Sequence, residues 1–236
     1  GRDVAVKVLL DDHAGNAEMT RRFIDEARIA GGLQHPGIVP VYEMGRTSGD
    51  RPFFAMELVD GCTLADLLGR RAGTAEGRQR FLGIFLQVCQ TMAYAHSRGV
   101  IHRDLKPSNV MVGAFGEVIV VDWGLAKILP RDGAPRGEGD KARSAESVIA
   151  TLRSQKGGGH SLAGSVMGTP SYMPPEQAAG DIERLDARSD VFSLGAILCE
   201  ILTGRPPYEG DQLAEVVRQA ASARLEDAQR RLGACG

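Results

Sequence analysis

The chain opens on an alternation. In residues 3–10, Val4, Val6 and Val8 take every second position, with Ala5 and Lys7 between them, which predicts a strand. Between 18 and 33 the period lengthens to that of a helix. Met19, Phe23, Ala27, Ala30 and Leu33 fall near one face, and Arg21, Arg22 and Arg28 fall elsewhere. His35-Pro36-Gly37 ends this helix, because proline pushes the residue before it out of the helical region. IVPVYEMG at 38–45 and RPFFAMELV at 51–59 predict two more strands around a turn at 47–50. Strand, helix, strand, strand makes a small sheet-based lobe.

After Asp60 and Gly61 the pattern turns helical. A short helix is predicted at 63–70. A long one follows at 77–98, with Phe81, Phe85, Val88, Cys89, Met92 and His96 along one side. Two short apolar runs, NVMV and EVIVV, flank Gly113 and Gly116 and read as a hairpin. Residues 130–163 are rich in Gly, Ser, Arg and Glu and are expected to be mobile. In 186–203, Val191, Leu194, Ile197, Leu198, Ile201 and Leu202 cover so much of a helix surface that burial nearly all round is expected. GRPPYEG ends that helix. Residues 211–232 mix charges with Val216, Val217, Ala220, Ala221 and Leu225, as surface helices do. The fold class expected is α+β.

Composition narrows the function. A chain of 236 residues holds one large domain or two small lobes. Its 43% apolar content is that of a globular protein. A net charge of -2 supplies no global basic field for nucleic acid or anionic lipid. No apolar run reaches the length that a membrane helix needs, and GRDVAVKVLLDDH is no signal peptide. Cys62, Cys89, Cys199 and Cys235 are scattered without metal-like or redox spacing. They fit reduced thiols in the cytoplasm, with Cys89 and Cys199 as core packing. The chain starts without Met and stops at RRLGACG, so a piece of a longer protein is expected.

Residues 102–109, HRDLKPSN, carry the chemistry. Phosphoryl transfer from a nucleotide needs cations against the transferred group, a metal between phosphates and a hydroxyl held in line. Asp104 can accept or orient the proton of that hydroxyl. Lys106 can neutralise the moving charge. Asn109 offers a carbonyl oxygen suited to Mg²⁺, and Asp122, at the end of EVIVV, adds a carboxylate that a hairpin would bring alongside. On these residues alone, a polar turn with Asn109 capping a hairpin stays open.

HRDLKPSN resembles the catalytic loop of eukaryotic-type protein kinases, and other stretches match that family in order. VAVK at 4–7 is similar to the third strand of the N-lobe, and IDEARIA to the helix that carries a conserved-type glutamate. FFAMELVDG resembles the hinge strand and DWGLA the metal-binding DFG. GTPSYMPPE resembles the substrate loop and SDVFSLG the start of the F-helix. The match covers nearly the whole chain. LKPSN and GTPSYM are the serine/threonine forms, and PPEQA is similar to bacterial members.

The resemblance implies a two-lobed fold, with a partial N-lobe at 1–59 and a partial C-lobe at 60–236. It implies an activation segment at 122–176, longer than is usual. Asp104, Lys106, Asn109 and Asp122 would be catalytic, with Asn109 and Asp122 holding Mg²⁺. Lys7, paired with Glu26, would hold the phosphates of ATP. Ala5, Met56 as gatekeeper, Glu57, Val59 and Met111 would surround the nucleotide. His102 would be packed in a spine with Ala30, Val41 and Trp123, and Asp190 would brace the loop. Arg103 would await a phosphate on the activation segment, with Ser161 and Ser165 as candidate autophosphorylation sites. Thr169 would touch Asp104 and Lys106, and Glu176 would close the segment. The substrate implied is a protein Ser/Thr hydroxyl. The family's Gly-rich loop and last helices are absent from these residues, so truncation at both ends is expected. A catalytically silent interaction module and a small-molecule phosphotransferase are the alternatives.

Overall fold

The computed structural model describes residues 3–10, 16–129 and 170–235. The first lobe is a three-stranded antiparallel sheet of order β1-β3-β2, from β1 (Val4–Val8), β2 (Val41–Arg46) and β3 (Pro52–Glu57). Helix α1 (Ala17–Gly32) lies against it. Asn16 caps α1 by accepting the amides of Glu18 and Met19. The face read from the sequence packs inward: Phe23 and Ala27 meet Leu9 and Phe54, with the two phenyl centroids 5.0 Å apart.

Strand β2 begins three residues later than the apolar run suggests, because residues 37 and 38 are used elsewhere. Ile38 forms a lone bridge with Val120 of the other lobe, and the Val120 amide donates to the Gly37 carbonyl at 2.8 Å. A β-carbon on Gly37 would collide with Thr91 Oγ1. We therefore expect Gly37→Ala to lower stability by about 1–3 kcal/mol in denaturant titrations, the usual cost of overpacking. Thr91→Ala in the same chain should recover most of it, and an unaltered midpoint in the single variant would refute the close approach.

In the second lobe, β4 (Gly61–Thr63), β6 (Val110–Gly113) and β7 (Val118–Val120) form a sheet of order β4-β6-β7. Gly61 thus opens a three-residue strand of which the pattern ahead of the expected helix gives no sign. Its missing side chain lets the Val112 carbonyl lie against it. Helix α2 (Leu64–Arg70) starts from a capping box between Thr63 and Asp66. Helices α3 (Arg78–Ser97) and α5 (Ala187–Thr203) pack together around Val88, Met92, Ile197 and Ile201, all fully buried. Burial of α5 is not complete, since Val191 is 57% exposed. Its inner side meets α3, and the sequence could not tell which apolar residue lay opposite that contact. Helices α6 (Leu213–Ala221) and α7 (Glu226–Gly233) close the lobe, and the four-residue α4 (Pro175–Ala178) packs on α6. A two-residue pair, β5 (Val100–Ile101) with β8 (Lys127–Ile128), is too short to leave a period in the sequence.

Candidate active site

The loop from β5 to β6 is held from below by one carboxylate. Asp190, in the first turn of α5, is fully buried. It accepts the amides of His102 and Arg103, each at 2.8 Å, and His96 Nε2, also at 2.8 Å. These bonds hold Arg103 in the left-handed region at φ 70°, so the chain turns sharply just before Asp104. The Asp104 amide donates to His102 Nδ1 at 3.2 Å, which leaves the ring proton on Nε2, 3.1 Å from the Val121 carbonyl. The His102 ring packs at a tilt against Trp123, centroids 4.7 Å apart, and Trp123 shares a core with Ala30, with Val41 packed against it.

The Asp104 carboxylate receives Lys106 Nζ at 2.8 Å and Asn109 Nδ2 at 3.2 Å. Asn109 Nδ2 also donates to the Asp104 carbonyl at 2.8 Å. With its NH₂ committed to Asp104, the amide's other polar atom is a carbonyl oxygen, a hard-cation ligand. Burial pushes the Asp104 carboxyl above the ordinary range, and Lys106 opposes it.

A second group comes from the first lobe. Lys7 on β1 donates to both carboxylate oxygens of Glu26, at 2.6 and 2.8 Å. Lys7 Nζ lies 3.8 Å from Asp122 Oδ1. Asp122 leaves β7 in the left-handed region at φ 64°, and its side chain is 51% exposed. Gly124 lets this segment lie close to the pair, for its β-carbon would sit 3.2 Å from Glu26 Oε2 and 3.3 Å from Asp122 Oδ1. Burial raises the Glu26 carboxyl above its usual range despite Lys7. The two groups are tied by the Val121 amide, which donates to the Asn109 carbonyl at 2.9 Å.

Met56 pairs across the sheet with Ala5 and Val41, and Met111 on β6 faces Thr63 and Ile119. Glu57, at the exposed end of β3, donates its amide to the Pro40 carbonyl at 3.1 Å. Val59 is half-buried just beyond. Ser161, Ser165 and Thr169 lie outside the described residues, as does the stretch expected to be mobile. Where the description resumes, Tyr172 donates to the Glu200 carboxylate, and Ser193 Oγ to the Tyr172 carbonyl at 2.9 Å. Glu176 accepts Ser189 Oγ at 2.6 Å.

Asn109 and Asp122 are oxygen donors, and no cluster of three or more His, Cys, Asp or Glu side chains able to hold a metal occurs among the described residues. Two protein oxygens fit Mg²⁺, which keeps waters and phosphates for its other positions. Beside α1 is a cavity of about 670 Å³ lined by Arg21, Arg22, Arg28, Arg103 and Lys127 and by Glu18, Asp25 and Glu26, with Arg22 paired to Glu18. Burial pulls the Arg103 guanidinium down to about 10, with Asp190 opposing. The sequence reading missed His96 as a partner of Asp190. The residue sits on the apolar side of α3, and its only signal was a polar ring at an inward helical position.

A family model described as the protein kinase domain matches residues 1–231. A serine/threonine-protein kinase PknB of Mycobacterium tuberculosis is 39% identical over 221 residues, 92% of this chain and 31% of the relative. PknB of Mycolicibacterium smegmatis is 40% identical over 221 residues, with the same two shares, 92% and 31%. A serine/threonine-protein kinase PknD of Protochlamydia amoebophila is 34% identical over 236 residues, 96% of this chain and 23% of the relative. The chain thus spans less than a third of these relatives' own length. The two groups of charged side chains, a sheet-bearing lobe above a helical one and the match over residues 1–231 agree: the chain belongs to the protein kinase domain family.

Proposed function

We propose that this chain is the catalytic part of a protein serine/threonine kinase, passing the γ-phosphoryl group of ATP to Ser and Thr hydroxyls of proteins, its own among them. The observation that carries the reading is the tether between two charged groups. The Val121 amide bonded to the Asn109 carbonyl brings Lys7, Glu26 and Asp122 to Asp104, Lys106 and Asn109. Lys7, steadied by Glu26, meets the nucleotide phosphates. Asn109 and Asp122 hold Mg²⁺, which when bound neutralises charge developing on the phosphates. Asp104 takes the proton of the acceptor hydroxyl, and Lys106 faces the transferred group. Ala5, Met56, Met111, Val59 and the Glu57 main chain line the nucleotide site between a lobe at 1–59 and a lobe at 60–236.

Regulation is read from the cavity beside α1. Arg103 and Arg22 place two cations in it, and a phosphate on the segment 122–176 would supply about -1.5 to -2 charges there. Ser161 and Ser165 are the candidate acceptors, and Thr169 is the candidate contact of Asp104 and Lys106. Glu176 would hold the far end of the segment in place. Four free thiols support a cytoplasmic setting for these residues. No helix among the described residues is long and apolar enough to cross a membrane.

The test is incubation of the natural full-length protein with γ-labelled ATP and Mg²⁺, then phosphoamino-acid analysis and peptide mapping. The expected result is label on serine and threonine, abolished by chelation of Mg²⁺, with part of it on Ser161 or Ser165. Folded protein that transfers no label would favour the silent interaction module. An active protein without phosphate at either serine would remove them as regulatory sites.

A further inference from the structure

Gln177 sits on α4, just after the substrate-loop motif, and is 3% exposed. Its Nε2 donates to the main-chain carbonyl of Arg103 at 2.9 Å, 74 positions away in the sequence. Arg103 is one of four described non-glycine residues with positive φ. That conformation costs about 1–3 kcal/mol and persists only where neighbours impose it. Its two peptide groups have one long-range partner each: Asp190 takes the amide and Gln177 gives to the carbonyl. The next residue is Asp104. The other end of the Gln177 amide, Oε1, is buried with no hydrogen-bond partner among the described residues. Gln177 also lines a cavity of about 10 Å³ together with Asp104, Leu105, Tyr172, Met173 and Ser193. A buried acceptor left unpaired costs stability, so packing alone would favour an apolar side chain of this size. What the amide provides that methionine cannot is the donor on Arg103.

We infer that Gln177 is a positioning residue for Asp104: its amide locks the Arg103 carbonyl, and so fixes the turn from which the Asp104 carboxylate is aimed at the acceptor hydroxyl. It links the substrate-bearing wall to the catalytic loop, so an acceptor seated on that wall and the base that deprotonates it keep a fixed separation. This rests on the kinase reading above.

The experiment compares wild type, Gln177→Met and Gln177→Glu in the natural full-length protein. Methionine keeps the volume and removes the donor. The expected result is a kcat about 10- to 100-fold lower, in line with small misplacements of reacting groups, with KM for ATP unchanged. Protonated glutamic acid can still donate to a carbonyl, whereas its carboxylate repels it. Gln177→Glu should therefore regain activity relative to wild type as pH falls, a profile that a packing role would not produce. Amide hydrogen exchange at residues 102–104 without nucleotide should rise selectively in Gln177→Met. Wild-type kcat in folded Gln177→Met, or kcat and KM shifting together in both variants with no pH rescue, would overturn the assignment. A wild type that transfers no phosphate would sink the kinase reading instead. The exchange measurement would then still decide: unchanged protection at 102–104 refutes the lock.

Discussion

Asp104→Asn is expected to slow phosphoryl transfer by about 10² to 10⁴-fold, the range associated with losing a positioned general base. The substitution is nearly isosteric and keeps an oxygen for Asn109 Nδ2. Lys106 loses its anionic partner at 2.8 Å, yet the His102 and Arg103 amides stay bonded to Asp190. The geometry of the loop thus survives while the proton acceptor is lost. The pH dependence has a definite sign. Burial raises the Asp104 carboxyl in the folded state, and the base works only when ionised. Wild-type activity should therefore fall with falling pH through a value above the ordinary aspartate pKa of about 3.9. The same raised pKa means that the folded state holds this proton more tightly than the unfolded chain. Stability contributed by the protonated form is lost as pH rises from the ordinary value through the raised one. Asp104→Asn removes that loss, so its melting temperature at neutral pH should be no lower than that of wild type. Steady-state kinetics and thermal melts across pH check both halves. A variant with wild-type kcat would exclude Asp104 as the base, and an inactive variant that melts much earlier would assign it to folding.

Lys7→Met is expected to cost about 10² to 10³-fold in kcat/KM for ATP, the scale of removing one preorganised electrostatic contact at the reacting centre. It also changes the pH dependence of folding. Glu26 is raised by burial and held back mainly by Lys7, through charge and hydrogen bonding. Without Lys7 the carboxyl rises further. The variant should then lose stability with rising pH over a wider window than wild type, since a folded-state acid with a raised pKa is destabilised as it ionises. The cost at neutral pH should be about 1–2 kcal/mol, below that of breaking a fully buried pair, because the Lys7 side chain is 40% exposed. Glu26→Gln in the same chain should restore the stability and not the activity. Superimposable melting curves of wild type and Lys7→Met across pH would show that the pair carries no energy.

Much of this arrangement is legible in the sequence, because period and chemistry coincide there. The alternation of Val4, Val6 and Val8 marks β1, and the spacing of Phe23, Ala27 and Ala30 gives the inner face of α1 on which Glu26 also lies. HRDLKPSN and the aspartate after EVIVV name the charged side chains. What stays hidden is whatever depends on one contact between distant residues. Nothing around Gly61 predicts that Val112 will come close, and Ile38 gives no sign of leaving its strand for Val120. His96 and Gln177 are polar residues in helical surroundings, and their partners stand 94 and 74 positions away. Exposure fails for the same reason: Val191 reads as core because its neighbours do.

The bond between Gly37 and Val120 makes the helix above it a lever. The residues that follow α1 are bonded to the sheet of the second lobe, and its leading end is capped by Asn16. The displacement of α1 that keeps this bond is a swing about its trailing end. Glu26 lies six positions before the end of α1, about 9 Å up a helix rising 1.5 Å per residue. A swing of roughly 20° about that end would carry a point about 9 Å along the helix about 3 Å, enough to part Glu26 from Lys7. Contact between Glu26 and Lys7 is thereby tied to the angle of α1, and a ligand or modification acting at the leading end of the helix has the longest arm of that lever to work with.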